Sequence, residues 1–177
     1  MAIQMMDLSA LKVLIADDNQ NMQSILKYSL RALGIREILT AENGKKAYDI
    51  FKKSTPDIII TNWMMPDVNG LQLTKKIRMS PDKNNPHIPI IMLSAYSEHE
   101  RITIARDAGI TEFLTKPVSP RAIYLRLAEV ILKPRQFVKI STYSGPDRRR
   151  LASNQYSNLQ HRKTDSEPIA SKAGGTM

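Results

Sequence analysis

Five times within about 120 residues the chain repeats one unit, a short apolar stretch followed by a segment of helical spacing. The first unit is LKVLIA (11–16), then a segment with Met22, Ile25, Leu26, Leu30 and Leu33 at a helical period, closed by Gly34. EILTA (37–41) precedes a helical segment over 43–51 with Ala47, Ile50 and Phe51 on one side. DIIITN (57–62) precedes a helix over 70–78, with Leu71, Thr74 and Ile77 facing one way. IPIIMLS (88–94) follows a turn-rich loop (80–87) and precedes a helix over 98–109 that ends at Gly109. EFLTK (112–116) precedes a last helix over 119–132, with Ser119 as N-cap, Pro120 at its first position, and Leu125, Ala128 and Leu132 along one face. Strands 1, 3 and 4 are apolar throughout, as strands covered on both faces must be. The alternation predicts an α/β fold: a five-stranded parallel sheet, doubly wound, with right-handed crossovers.

Ligands in such sheets bind beyond the carboxyl ends of the strands. Those ends carry Asp17 and Asp18 after strand 1, Asn62 after strand 3, Ser94 after strand 4 and Lys116 after strand 5. Two adjacent acids supply the oxygen ligands that Mg²⁺ takes. A hydroxyl and an ammonium suit two phosphoryl oxygens. A carboxylate on strand 3 would complete a phosphoryl-transfer pocket as its nucleophile, yet that position holds a neutral amide. No glycine-rich phosphate loop follows strand 1, which counts against flavin binding. The Asn-Gly pairs at 43–44 and 69–70 read as turn or helix-entry signals. Trp63 is expected as a half-exposed ring beside the pocket, and Met64 and Met65 as loop packing. His87, His99 and His161 are scattered and form no ligand cluster.

Past Pro134 the periodicity fades into a segment rich in Ser, Asn, Gly and charge. Residues 1–132 hold 17 Lys+Arg against 14 Asp+Glu, whereas 133–177 hold 9 against 3. The excess charge of this +9 chain therefore sits mostly in its last quarter, which reads as a basic, largely disordered tail. Cysteine is absent, which excludes disulfides and thiolate metal sites. The N-terminus has no secretory pattern and no apolar run is long enough to span a bilayer, so a cytoplasmic location is expected. No helix-turn-helix or winged-helix pattern is present, so no folded DNA-binding domain is expected.

Residues 10–132 resemble the receiver domain of response regulators in two-component signalling, the chemotaxis-type regulators in particular. The pieces that carry the resemblance are VLIADDN, IIITNWMMPDVNG, IIMLSA and FLTKPV. It implies a flavodoxin-like strand order, 2-1-3-4-5. It implies that Asp17 and Asp18, with the backbone carbonyl of Met64, hold Mg²⁺. It places Asn62 at the phosphoacceptor position, Ser94 at the switch hydroxyl, Phe113 at the switch aromatic and Lys116 at the conserved-type lysine, with a cis Lys116–Pro117 bond. The implied partners are a sensor histidine kinase or phosphotransfer protein, and an output protein docking on helix 4, strand 5 and helix 5.

Asn62 departs from that pattern. An amide is a poor nucleophile and removes one negative charge, so Mg²⁺ binding is expected to weaken and usual phosphorylation to be blocked. Three accounts remain open: a natural atypical receiver, an ordinary receiver carrying an Asp→Asn exchange, or transfer to another group such as Asp18. The principal expectation is a non-enzymatic signalling module working through protein–protein contacts. The alternatives are a phosphatase or phosphotransferase using Asp17 or Asp18, and a nucleic-acid binder using the basic tail. YSGPDRRR (143–150) resembles an extension found behind some receivers, with no assigned role.

Overall fold

The computed structural model describes residues 6–81, 84–95, 99–140 and 143–147. Among the described residues the elements run β1 (Lys12–Ala16), α1 (Gln20–Ala32), β2 (Glu37–Ala41), α2 (Gly44–Ser54), β3 (Ile58–Asn62), α3 (Gly70–Arg78), β4 (Ile90–Ser94), α4 (His99–Asp107), β5 (Glu112–Thr115), α5 (Pro120–Leu132), β6 (Phe137–Ile140) and β7 (Tyr143–Pro146). The first five strands form one sheet in the order β2-β1-β3-β4-β5. All of its pairings are parallel.

Alternate strand residues feed two cores. Val13, Ile15, Ile58, Ile60, Ile91 and Leu93 point to the face covered by α1 and α5. Leu14, Ala16, Ile59, Ile90 and Met92 point to the face covered by α2, α3 and α4. A side chain of this size is worth about 1.5–3 kcal/mol when fully buried. The β-branched runs of β3 and β4 therefore fix both the strands and their register.

Polar side chains start the helices. Asn19, Asn43, Asn69 and Ser119 each accept from a backbone N–H in the first turn. Asn69 forms a reciprocal capping box with Gln72. Both Asn-Gly pairs thus serve as helix entries. Gly34 and Gly109 end α1 and α4 at φ +91° and +96°, conformations that favour glycine.

Three packing expectations are corrected. On α5 the buried stripe is Ile123, Leu127 and Val130, while Leu125 and Leu132 are 55% and 67% exposed. Both stripes have helical spacing, so spacing alone could not choose between them. Ile25 on α1 is likewise 48% exposed, because Leu26 and Leu30 take the sheet-facing positions. Trp63 is 8% exposed rather than half-exposed, its ring lying edge-on to Phe113 with centroids 6.4 Å apart.

Beyond α5, part of the segment expected to be a largely disordered tail is structured. β6 and β7 form an antiparallel hairpin, with Phe137 opposite Pro146 and Ile140 opposite Tyr143. It is held at the amino-terminal ends of β4 and β5 by Arg78, a buried residue at the end of α3. Its guanidinium donates to the carbonyls of Gly109 (2.8 Å), Pro86 (2.6 Å) and Ile88 (2.8 Å). Burial pulls the Arg78 pKa down to about 9, which leaves it protonated at neutral pH. Phe137 lies beneath that guanidinium and stacks on His87. The Tyr143 hydroxyl donates to Pro146 O, and the Ser144 hydroxyl to Arg78 O. Gly145 meets Gly109 so closely that a Cβ would lie 2.8 Å from the Gly109 Cα. Strands of four residues are too short to show a period, and this hairpin is anchored by a cation and backbone rather than by an apolar stripe. Residues 148–177, including Arg148, Arg149 and Arg150 of YSGPDRRR, lie outside the described residues. Among the described residues no helix is long and apolar enough to cross a membrane.

Candidate functional site

The carboxyl ends of β1, β3, β4 and β5 converge as their polar residues suggest. β1 delivers Asp17, fully buried, and Asp18, exposed. Asp17 Oδ1 accepts from the Asn19 N–H at 2.9 Å, and Oδ2 from Lys116 Nζ at 3.3 Å. Burial raises the Asp17 carboxyl above its ordinary value, against the Asn19 N–H and Lys116, which both lower it. The Gln23 amide donates to the backbone carbonyls of Asp17 (2.7 Å) and Ala41 (3.2 Å), tying α1 to the ends of β1 and β2.

β3 delivers Asn62. Its Nδ2 donates to Asp18 Oδ1 at 3.1 Å and to Met64 O at 2.7 Å. Its Oδ1 accepts from Lys116 Nζ at 3.2 Å. These partners select one amide orientation. Reversed, the NH₂ would face an ammonium and the oxygen would face a carboxylate and a carbonyl. The turn after β3 is closed by Gly70, whose N–H donates to Trp63 O at 2.9 Å. A Cβ at Gly70 would collide with the Asn62 carbonyl, so this backbone approach requires glycine.

Ser94 ends β4 and is buried. Its carbonyl accepts from the Lys116 N–H at 2.8 Å, which carries the β4–β5 ladder one residue past Thr115. The following Lys116–Pro117 bond is cis, as the resemblance implies. Lys116 thus projects from β5 between Asp17 and Asn62. Phe113 is half-buried against the α2–α3–α4 core, beside Trp63. Met64 is exposed and Met65 buried, so the two methionines do not act as a pair.

Asp17, Asp18, Asn62 and Lys116 are thus linked by side-chain hydrogen bonds, and Ser94 lies beside Lys116 through the backbone ladder. The sequence reading missed Asn19 and Gln23, which hold the acidic end of β1. Asn19 carries a visible N-cap signal, but its second bond, from its own N–H to Asp17, depends on the local turn.

The match to known proteins now decides the assignment. The family model described as the response regulator receiver domain matches residues 13–128. The chain belongs to the response regulator receiver family. The receiver is 35% identical over 123 residues to chemotaxis protein CheY1 of Helicobacter pylori, covering 69% of this chain and 97% of that one. Among solved structures it is similar to chemotaxis protein CheY4 of Vibrio cholerae, with TM-score 0.64, 29% identity and coverage of 68% and 98%. It is also similar to the receiver domain of sensor histidine kinase PA1611 from Pseudomonas aeruginosa. That likeness has TM-score 0.61, 25% identity and coverage of 67% and 95%. The PA1611 structure has a magnesium ion coordinated in its active-site cleft. The family match stops within α5, so the β6–β7 hairpin is an addition to the matched receiver.

Receivers bind Mg²⁺ at this end of the sheet, so the residues present can be tested against that ion. Asp17, Asp18 and Met64 O are oxygen donors of the type Mg²⁺ takes. Two of the three are already occupied by the N–H bonds of Asn62. Among the described residues no group of three or more His, Cys, Asp and Glu side chains is placed to hold a metal. As arranged, the Asn62 NH₂ stands where a divalent cation would have to meet Asp18 Oδ1 and Met64 O.

Proposed function

We propose that this receiver relays signals in a two-component system through protein–protein contacts, with the usual aspartyl phosphorylation blocked at Asn62. The observation that carries this reading is the placement of Asn62 at the end of β3, between Lys116 and Asp18. A carboxylate there would sit beside the ammonium and the acidic pair that phosphoryl transfer requires; an amide cannot form the acyl phosphate. In this reading Asp17, Asp18 and the Met64 carbonyl form a weakened Mg²⁺ set, and Ser94 and Lys116 are the groups that would meet phosphoryl oxygens. Ser94 and Phe113 are the switch pair. A sensor kinase or phosphotransfer protein is the upstream partner. The output protein docks on α4, β5 and α5, and the site of action is the cytoplasm.

Phosphatase or phosphotransferase chemistry at Asp17 is disfavoured by its burial and by donors on both carboxylate oxygens. Asp18 is open, but one of its oxygens is engaged by Asn62. The deciding experiment is Mg²⁺-dependent labelling by a small phosphodonor of the wild-type chain beside Asn62→Asp. Labelling only in the variant supports the reading. Equal labelling of both overturns it.

A further inference from the structure

We infer that the Asn62 carboxamide is a built-in plug that takes the place of the divalent cation. This rests on reading Asp17, Asp18 and Met64 O as the cation set. The amide has two N–H groups, and both are spent on members of that set: Asp18 Oδ1 at 3.1 Å and Met64 O at 2.7 Å. Its oxygen faces the Lys116 ammonium, Nζ, at 3.2 Å. Every polar atom of the side chain thus has a partner of opposite character. An aspartate in the same pose would place an oxygen against Asp18 Oδ1 and Met64 O, an arrangement that calls for a cation or proton between them. One exchange of oxygen for NH₂ converts a pocket that needs a cation into one that excludes it.

The plug has a consequence beyond lost charge. A cation entering this pocket must first displace the Asn62 NH₂. Turning the amide over does not help, because the NH₂ would then confront the Lys116 ammonium. The ends of β1, β3 and β5 are therefore joined without metal, and the pocket is held in one arrangement whatever the Mg²⁺ concentration.

Charge loss and plugging make opposite predictions for Asn62→Ala. Alanine carries the same zero charge as asparagine and offers no oxygen, so charge alone predicts Mg²⁺ binding no tighter than in the wild type. Plugging predicts tighter binding, since both oxygens are released; one hydrogen bond's worth of competition corresponds to about tenfold in affinity. The experiment is calorimetric Mg²⁺ titration, with thermal unfolding in parallel, on the whole 177-residue wild-type chain, Asn62→Ala, Asn62→Ser and Asn62→Asp. The serine variant keeps a small polar side chain should alanine fail to fold. The expected result is negligible binding and no Mg²⁺-dependent stabilisation for the wild type, and at least about tenfold tighter binding for alanine or serine. Aspartate should bind tightest. Tight binding by aspartate with alanine and serine no better than wild type overturns the plug but leaves the cation site standing. Absence of binding in all four overturns both the plug and the cation-site reading beneath it. None of these outcomes depends on phosphoryl transfer, so labelling and plugging can fail separately.

Discussion

In the absence of divalent cations, Asn62→Asp destabilises this receiver by roughly 3–4 kcal/mol at neutral pH. The figure follows from the geometry of the amide. Nδ2 lies 3.1 Å from Asp18 Oδ1 and 2.7 Å from Met64 O. An aspartate oxygen there turns two hydrogen bonds into two oxygen–oxygen contacts, losing about 1 kcal/mol for each bond. Unit charges about 3 Å apart repel by about 1.4 kcal/mol in water and about 5.5 at an effective dielectric of 20. Asp18 is exposed, so its repulsion belongs near the lower value. Attraction to Lys116, 3.2 Å from Oδ1, roughly offsets the repulsion from buried Asp17. One screened repulsion and two lost bonds remain. The assay is urea unfolding with EDTA present, comparing midpoints across pH. Protonating one of the crowded carboxyls restores a donor, so the deficit is present at neutral pH and shrinks as pH falls into the carboxylate range. An Asn62→Asp variant as stable as the wild type with EDTA at neutral pH would refute the reasoning.

Arg78→Met removes the donor for three buried carbonyls and should cost roughly 3–5 kcal/mol, seen as a lowered urea midpoint. Gly145→Val should detach the β6–β7 hairpin, since a Cβ at residue 145 would lie 2.6 Å from the Tyr143 hydroxyl and 2.8 Å from the Gly109 Cα. Hydrogen exchange should then show lost protection over 137–146 with the five-stranded sheet still protected; unchanged protection in the hairpin would count against the packing described. For Asp17, burial raises the folded pKa above its ordinary 3.8, so ionisation costs stability as pH rises through the folded value and costs nothing below the unfolded one. The stability of Asp17→Asn relative to wild type should therefore increase from about pH 4 to neutral in EDTA, as read from urea midpoints at each pH.

The parallel sheet was legible because its strands are buried on both faces. Ile58–Ile60 and Ile90–Leu93 read as continuous apolar runs, and Asn43, Asn69 and Ser119 announce the helices that follow. The convergence of Asp17, Asp18, Asn62, Ser94 and Lys116 was legible for a related reason: each stands at or just past the carboxyl end of a strand, and parallel strands bring those ends together. The α5 face was not legible, because Ile123-Leu127-Val130 and Leu125-Ala128-Leu132 have equivalent spacing. Trp63 was misjudged because its burial depends on Phe113, distant in sequence. The hairpin escaped because its anchor, Arg78, lies on α3 and looks like a surface arginine in a basic stretch. The exchange of donors around Asn62 was also invisible. Sequence shows a missing charge, whereas the bonds to Asp18, Met64 and Lys116 exist only once three strand ends are in place.

The central claim is that Asn62 stands at the phosphoacceptor position and blocks its chemistry. It is tested most directly by exposing the wild-type chain and Asn62→Asp to a small phosphodonor with Mg²⁺, and reading covalent phosphate by intact-mass measurement. The predicted result is one added phosphoryl group on Asn62→Asp, abolished by EDTA, and none on the wild type. Equal phosphorylation of the wild type, or an Asn62→Asp protein that stays unlabelled while folded and Mg²⁺-bound, would contradict the claim.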